Sequence, residues 1–240
     1  MRMHTLYWPD RTALGADIPF RSNRLLQISV VVFSLYWIFM GIWPVQRSLW
    51  LVENLLVVAL AVLLVWTYRK FRFSNQSYLF ILLFLVLHTF ATHYSYATTP
   101  IDEWLKTTFH TKRSYYDRFV HFAFGLLWVY PFGELYVRLA GRRGAWPFVV
   151  PAAIVMALSA LFEITEAAGA IIVGQEPKGG EFVGMQGDVF DTQKDMFAAF
   201  IGALLAIAWL FLRQRRKRGE LRSAAFAESG EAPTTGNGRE

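Results

Sequence analysis

Cysteine is absent from the 240 residues, so no disulfide braces a loop and no thiol serves as nucleophile or metal ligand. The chain also lacks the HExxH of zinc proteases and the GxSxG of serine hydrolases. It has no Lys/Arg-rich phosphatase signature with Ser-Gly-His. Its spaced aspartates near position 190 are not preceded by the DGxxAR start that CDP-alcohol phosphotransferases require. Charged residues make up 18% of the chain, and no polar stretch is long enough to build a soluble domain around its own core. What remains is apolar: 55% of residues are hydrophobic and 17% aromatic, the composition of a membrane protein.

A helix needs about 20 apolar residues to cross the hydrocarbon layer. Runs at roughly 25–43, 49–67, 78–97, 118–140, 147–173 and 193–212 predict an all-α polytopic protein with six transmembrane helices. Residues 1–24 read as a cytoplasmic N-terminal segment, 25–212 as the membrane domain, and 213–240 as a basic, disordered cytoplasmic tail. The first run is followed by "GIWPVQRS", which has no small-residue cleavage pattern, so it is expected to be a retained helix.

The net charge of +6 invites a nucleic-acid reading, but its distribution opposes one. Most Lys and Arg fall in the N-terminal segment, at Arg69, Lys70 and Arg72, at Arg138, Arg142 and Arg143, and in the tail. The alternate loops hold only Arg47, Lys106, Lys112, Arg113, Arg118, Lys178 and Lys194. By the positive-inside rule both termini are cytoplasmic, and the bilayer is the partner.

Helices one and two are nearly pure hydrocarbon, with Glu53 expected at the headgroups. The outer ends of helices three to six gather the ionisable groups. Asp117 and His121 are four apart on one face of helix four, where a carboxylate fixes the imidazole tautomer and raises its basicity. Glu163 and Glu166 share a face of helix five, within the span, where a charge costs about 2.5–3.5 kcal/mol on insertion scales. A helix starting at Asp188 would place Asp188, Asp191 and Asp195 within an arc of about 60°. Asp188 and Asp191 are explained as helix-start acids; Asp195 is two turns in, on a face continued by Ala198, Gly202 and Ala206 that permits close helix contact. His88 lies about 140° around helix three from His93, so the two are not assumed to share a site. Glu134 and Arg138 read as a structural pair.

The ordered motifs "HYSY" (93–96), "YDRFVHF" (116–122), "FEITE" (162–166) and "QGDVFDTQKDMF" (186–197) closely resemble the YjdF family of bacterial inner-membrane proteins. The resemblance covers helices three to six and implies a fold and a site rather than an activity. A weaker likeness is to VanZ-like membrane proteins, whose pattern Asp117, His121, Glu166 and Asp195 match; Glu163 and Ala199 depart from it. That likeness links the chain to cell-envelope biology by analogy alone.

The leading expectation is an outward-facing intramembrane site. Asp117, His121, Glu163, Glu166 and Asp195 are its reactive groups, and His93, Tyr94, Tyr96, Tyr116, Arg118, Gln186 and Gln193 contact the substrate. His121, Glu166, Asp191 and Asp195 are the candidate ligands of a divalent cation, which would activate water or a phosphate of a lipid-type substrate. A small proton-coupled transporter and a structural or partner-binding subunit are the alternatives. Nothing in the sequence sets an oligomeric state.

Overall fold

The computed structural model describes residues 16–96, 98–110, 113–141, 144–172 and 188–229. Among them every regular element is helical. After a short 3-10 turn at Phe20–Ser22 come α1 (Arg24–Met40), α2 (Arg47–Thr67), α3 (Asn75–His93), α4 (Pro100–Phe109), α5 (Tyr116–Ala140), α6 (Trp146–Ile172) and α7 (Asp191–Ser229). Five of these are long and apolar enough to cross a membrane: α2, α3, α5, α6 and, in α7, Asp191–Arg216. The sixth expected span corresponds to α1, whose 17 residues stand at the lower limit of a span.

Two elements differ from the sequence expectation. α4 forms within what was read as a connection: Thr99 accepts the Asp102 N–H at 3.1 Å, Pro100 opens the first turn, and both features favour a helix start. α7 runs to Ser229, past the expected end near 212 and into the segment read as a disordered tail. Arg, Gln, Lys, Glu, Leu and Ala dominate there; all are good helix formers, and a helix already nucleated by its membrane part extends at little cost.

α5 is the centre of the bundle, with α3, α6 and α7 packed around it, while α1 and α2 lean on α3. Its tightest crossing is with α7. A Cβ added to Gly125 would strike the backbone of Ala199 and Ala203, and one on Gly202 would strike the backbone of Phe122 and Leu126. Ala199, Gly202, Ala203 and Ala206 are all buried here, so the small-residue face of α7 sets the closest approach of two helix axes. α1 and α2 instead turn many leucines, isoleucines and valines outward. They are tied to α3 by Asn54, which accepts from Trp37 Nε1 at 2.7 Å and donates to the Trp50 carbonyl at 2.7 Å and to Thr92 Oγ1 at 3.2 Å.

Polar groups collect at both ends of the bundle. At the end where α3 begins, the fully buried Glu134 accepts from the Ser74 N–H at 2.9 Å, the Ser74 hydroxyl at 2.7 Å, the Ser77 hydroxyl at 2.5 Å and Arg138 Nη1 at 2.7 Å. Arg138 also donates to the Arg72 carbonyl and lies over the Phe71 ring, 4.0 Å from its centroid. This carboxylate serves a helix N-terminus and one guanidinium, a satisfied structural knot as the sequence spacing implied.

Candidate functional site

At the other end, where α5 and α7 begin, an unanticipated residue holds the frame. Asp102 of α4 is fully buried and accepts from the N–H groups of Tyr115 at 2.6 Å and Tyr116 at 3.1 Å, capping α5 from outside the helix. Its other oxygen accepts from the Thr99 hydroxyl at 2.8 Å. The Thr-Pro-x-Asp spacing is a helix-start signal in the sequence, though it gives no hint that Asp102 serves a second helix.

α7 begins at Asp191, so Asp188 lies ahead of it rather than opening it. The Asp188 carbonyl accepts the Asp191 N–H at 3.0 Å, and its carboxylate accepts the Phe190 N–H at 3.2 Å, Arg113 Nη1 at 2.7 Å, Arg118 Nη2 at 2.8 Å and Lys194 Nζ at 2.7 Å. The Lys194 ammonium, with the Phe190 amide and Arg118, holds the Asp188 carboxyl well below the usual carboxylate range against the opposing pull of desolvation. Asp191, buried in the first turn, pairs with Arg113 and with Arg118 at 3.4 Å. Asp195, 1% exposed, has Arg118 Nε at 3.6 Å, an ion-pair distance without hydrogen-bond alignment. Two of the three aspartates are thus occupied by arginines that clamp α7 to the start of α5. Asp195 keeps one buried oxygen, Oδ1, without a hydrogen bond among the described residues.

One turn along α5 from Asp117, His121 is buried between α5 and α6. Its Nδ1 is 3.1 Å from Ser159 Oγ, and its Nε2 is 3.1 Å from Glu163 Oε1 and 3.7 Å from Asp117 Oδ1. The Glu163 contact is close but poorly aligned, leaving both atoms without a formal hydrogen bond among the described residues. Two carboxylates at Nε2 favour a proton on that nitrogen and leave Ser159 to the other, an arrangement suited to giving or taking a proton. Asp195 and Glu166 lie close enough to add to the field at Asp117 and His121. Glu166 itself is exposed, with no hydrogen-bond or ion-pair partner among the described residues.

His121 and Asp117 open onto a cavity of about 330 Å³ between α2, α3, α5 and α6. Its walls are hydrocarbon and rings, chiefly Leu60 and Leu63, Phe84, Phe124 and Trp128, and Leu158 and Phe162. The size lies at the lower end of the range for small-molecule pockets, about 300–1,000 Å³. Leu56, Leu63, Leu158 and Leu161 line it and are also exposed, so between α2 and α6 it reaches the outer surface of the bundle.

The polar end of this cavity has a second wall that the sequence reading missed. His88, 1% exposed, has its Nε2 3.3 Å from the Glu53 carbonyl and its Nδ1 2.6 Å from the Tyr96 hydroxyl. Nε2 therefore carries the proton, and the Tyr96 hydroxyl donates to Nδ1. Burial pushes the Tyr96 phenol up, which keeps it a donor. The Glu53 carboxylate lies within electrostatic reach of Asp117 and has a buried oxygen, Oε2, without a hydrogen bond among the described residues. Glu53, expected at the headgroups, gives its backbone carbonyl to His88 beside the cavity. The signal for both was an ionisable side chain inside a long apolar run.

Several expected contacts are not brought in. His93 Nδ1 is 2.8 Å from the Met40 carbonyl, fixing the end of α1, and the Tyr94 ring packs on Phe90 and His93. The Tyr116 hydroxyl donates to the Leu87 carbonyl at 3.3 Å. Gln193 is exposed, and Gln186 lies outside the described residues. No three His, Asp or Glu side chains among the described residues are arranged to hold a metal ion. Of the four expected ligands, Asp191 is paired with arginines and Glu166 is exposed on α6.

A family model described as "Predicted membrane protein (DUF2238)" matches residues 25–216, which takes in Glu53, His88, Asp117, His121, Glu163 and Asp195. The inner membrane protein YjdF of Escherichia coli (strain K12) is 32% identical over 205 residues, 81% of this chain and 94% of that protein. No solved structure matches. The resemblance carried by the four motifs therefore holds across most of the sequence, and the chain belongs to the DUF2238 family of predicted membrane proteins, with YjdF among its relatives.

Proposed function

We propose that this protein is a six-span inner-membrane protein, both termini cytoplasmic, that takes a lipid-type amphiphile from the outer leaflet into the cavity beside α5 and presents its head to His121. The inner-membrane location follows the relative's description, and the orientation follows the distribution of Lys and Arg. One observation carries the reading: an apolar cavity, reaching the outer surface of the bundle between α2 and α6, ends on a buried imidazole flanked by Asp117, Ser159 and Glu163. An acyl or alkyl chain would occupy the hydrocarbon wall and exclude water, while the His121 pair moves a proton to or from the head. A transmembrane conduit is the weaker reading: beyond His121 the cavity continues through Phe124, Trp128 and Phe132.

A photoactivatable dodecanol, diluted into nanodiscs carrying the purified protein, tests this. Its label is expected on Val120–Trp128 and Leu158–Phe162. Leu60→Trp, which fills the cavity from α2, is expected to cut labelling there at least severalfold. Labelling spread over the outward leucines and valines of α1 and α2, and indifferent to Leu60→Trp, would sink the proposal.

A further inference from the structure

The geometry points to a cationic head group: we infer that the cavity selects an amphiphile carrying an ammonium, a primary or substituted amine, over one carrying a phosphate or carboxylate. The inference rests on the cavity being a ligand site.

Asp117 of α5 lines its polar end, and Glu53 of α2, Glu163 and Glu166 of α6 and Asp195 of α7 lie within electrostatic reach of Asp117. Against these five carboxylates the described residues set few cations. His121 lies between Asp117 and Glu163, while Arg113 and Arg118 are engaged with Asp188 and Asp191. His88 is committed to the Glu53 carbonyl and Tyr96.

The acids are also short of partners. Oε1 of Glu163, 3.1 Å from His121 Nε2, and Oδ1 of Asp195, 3.6 Å from Arg118 Nε, have ion-pair neighbours but no aligned hydrogen bond among the described residues, and Oε2 of Glu53 has no hydrogen bond there either. Buried acceptors without a full set of donors favour a ligand that supplies them. An incoming ammonium brings up to three donors and a charge of the right sign, whereas a phosphate brings acceptors and like charge.

The walls fit the same chemistry. Phe84, Tyr96, Phe124 and Phe162 line the cavity, with Phe84 stacked on His88 and Phe162 edge-on to His121. Rings around an acidic pocket are the setting in which ammonium heads are held, by cation–π attraction and exclusion of water.

Unlabelled dodecylamine, dodecanol and dodecyl phosphate compete with the dodecanol photoprobe in phosphatidylcholine nanodiscs, each scored at its measured bilayer concentration. Dodecylamine is expected to displace the probe at about tenfold lower concentration than dodecanol, equivalent to about 1.4 kcal/mol, with dodecyl phosphate weaker than both. Glu53→Gln should remove most of the advantage of the amine over dodecanol. Glu166→Gln, at an exposed position, makes the same test without disturbing the packed interior. Equal competition by amine and alcohol, or better competition by phosphate, overturns the charge inference while the cavity reading stands. Absence of any cavity labelling to displace overturns both.

Discussion

Leucine at Gly202 is expected to drive α7 off α5 and leave little folded protein. The added Cβ alone would meet the Phe122 carbonyl and the Leu126 amide nitrogen, and these are backbone atoms with no rotamer into which to retreat. Overpacking a core typically costs about 1–3 kcal/mol, and a branched side chain against an opposing helix backbone lies at or above the upper end. For a chain of this size each kcal/mol moves Tm by about 2–4 °C. The effect should reach Asp195, two turns along the same face, whose position beside Arg118 depends on this crossing. Gly125→Leu, the reciprocal change on α5, should behave alike, whereas Leu204→Ala at an exposed position of α7 should be near neutral. Thermal unfolding in nanodiscs reads all three; an unchanged Tm for Gly202→Leu would mean that α5 and α7 do not cross this closely.

Glu134→Ala is expected to cost about as much by the opposite route, through what it leaves behind. The carboxylate accepts from Ser74, Ser77 and Arg138 in a fully buried position, so its removal leaves the amide and hydroxyl of the α3 N-cap Ser74 without this acceptor and Arg138 with only the half-exposed Asp17 and the Arg72 carbonyl. Breaking one side of a buried ion pair typically costs about 3–5 kcal/mol. Replacing both partners by apolar residues leaves no buried charge, and Glu134→Leu with Arg138→Leu is expected to regain a large part of the loss. A double-mutant cycle of unfolding free energies checks this. Additive losses from the two single changes would show that the pair is not coupled.

The helices were legible in the sequence because a span demands a long apolar run, and few other structures tolerate one. α4 was not: ten residues with apolar side chains on one face and polar ones on the other are too short and too polar on average for a hydropathy peak, and the Thr99–Asp102 cap marks the start. The far end of α7 was missed for a related reason, since charge and small residues were read as disorder where helix propensity and an existing helix prevailed.

In the site, spacing along one helix was informative and pairing between helices was not. Asp117 and His121 share a face as their separation requires, and the small-residue face below Asp195 packs as its periodicity implies. The arginine clamp on Asp188 and Asp191 depends on Arg113, in a connection whose path no periodicity reveals. Glu53 and His88 sit singly in apolar runs, so nothing in their own helices says that they meet at one cavity. α2, nearly pure hydrocarbon in sequence, supplies one of its walls.

The account stands or falls on that cavity having an occupant. Native mass spectrometry of the protein released from its own membrane in lipid nanodiscs measures this directly. A retained amphiphile of defined mass on the wild-type chain, missing from Leu60→Trp at equal folded fraction, is the predicted result. A wild-type chain that carries no adduct, or one whose adducts are the bulk lipids in the same amounts as in Leu60→Trp, would contradict it.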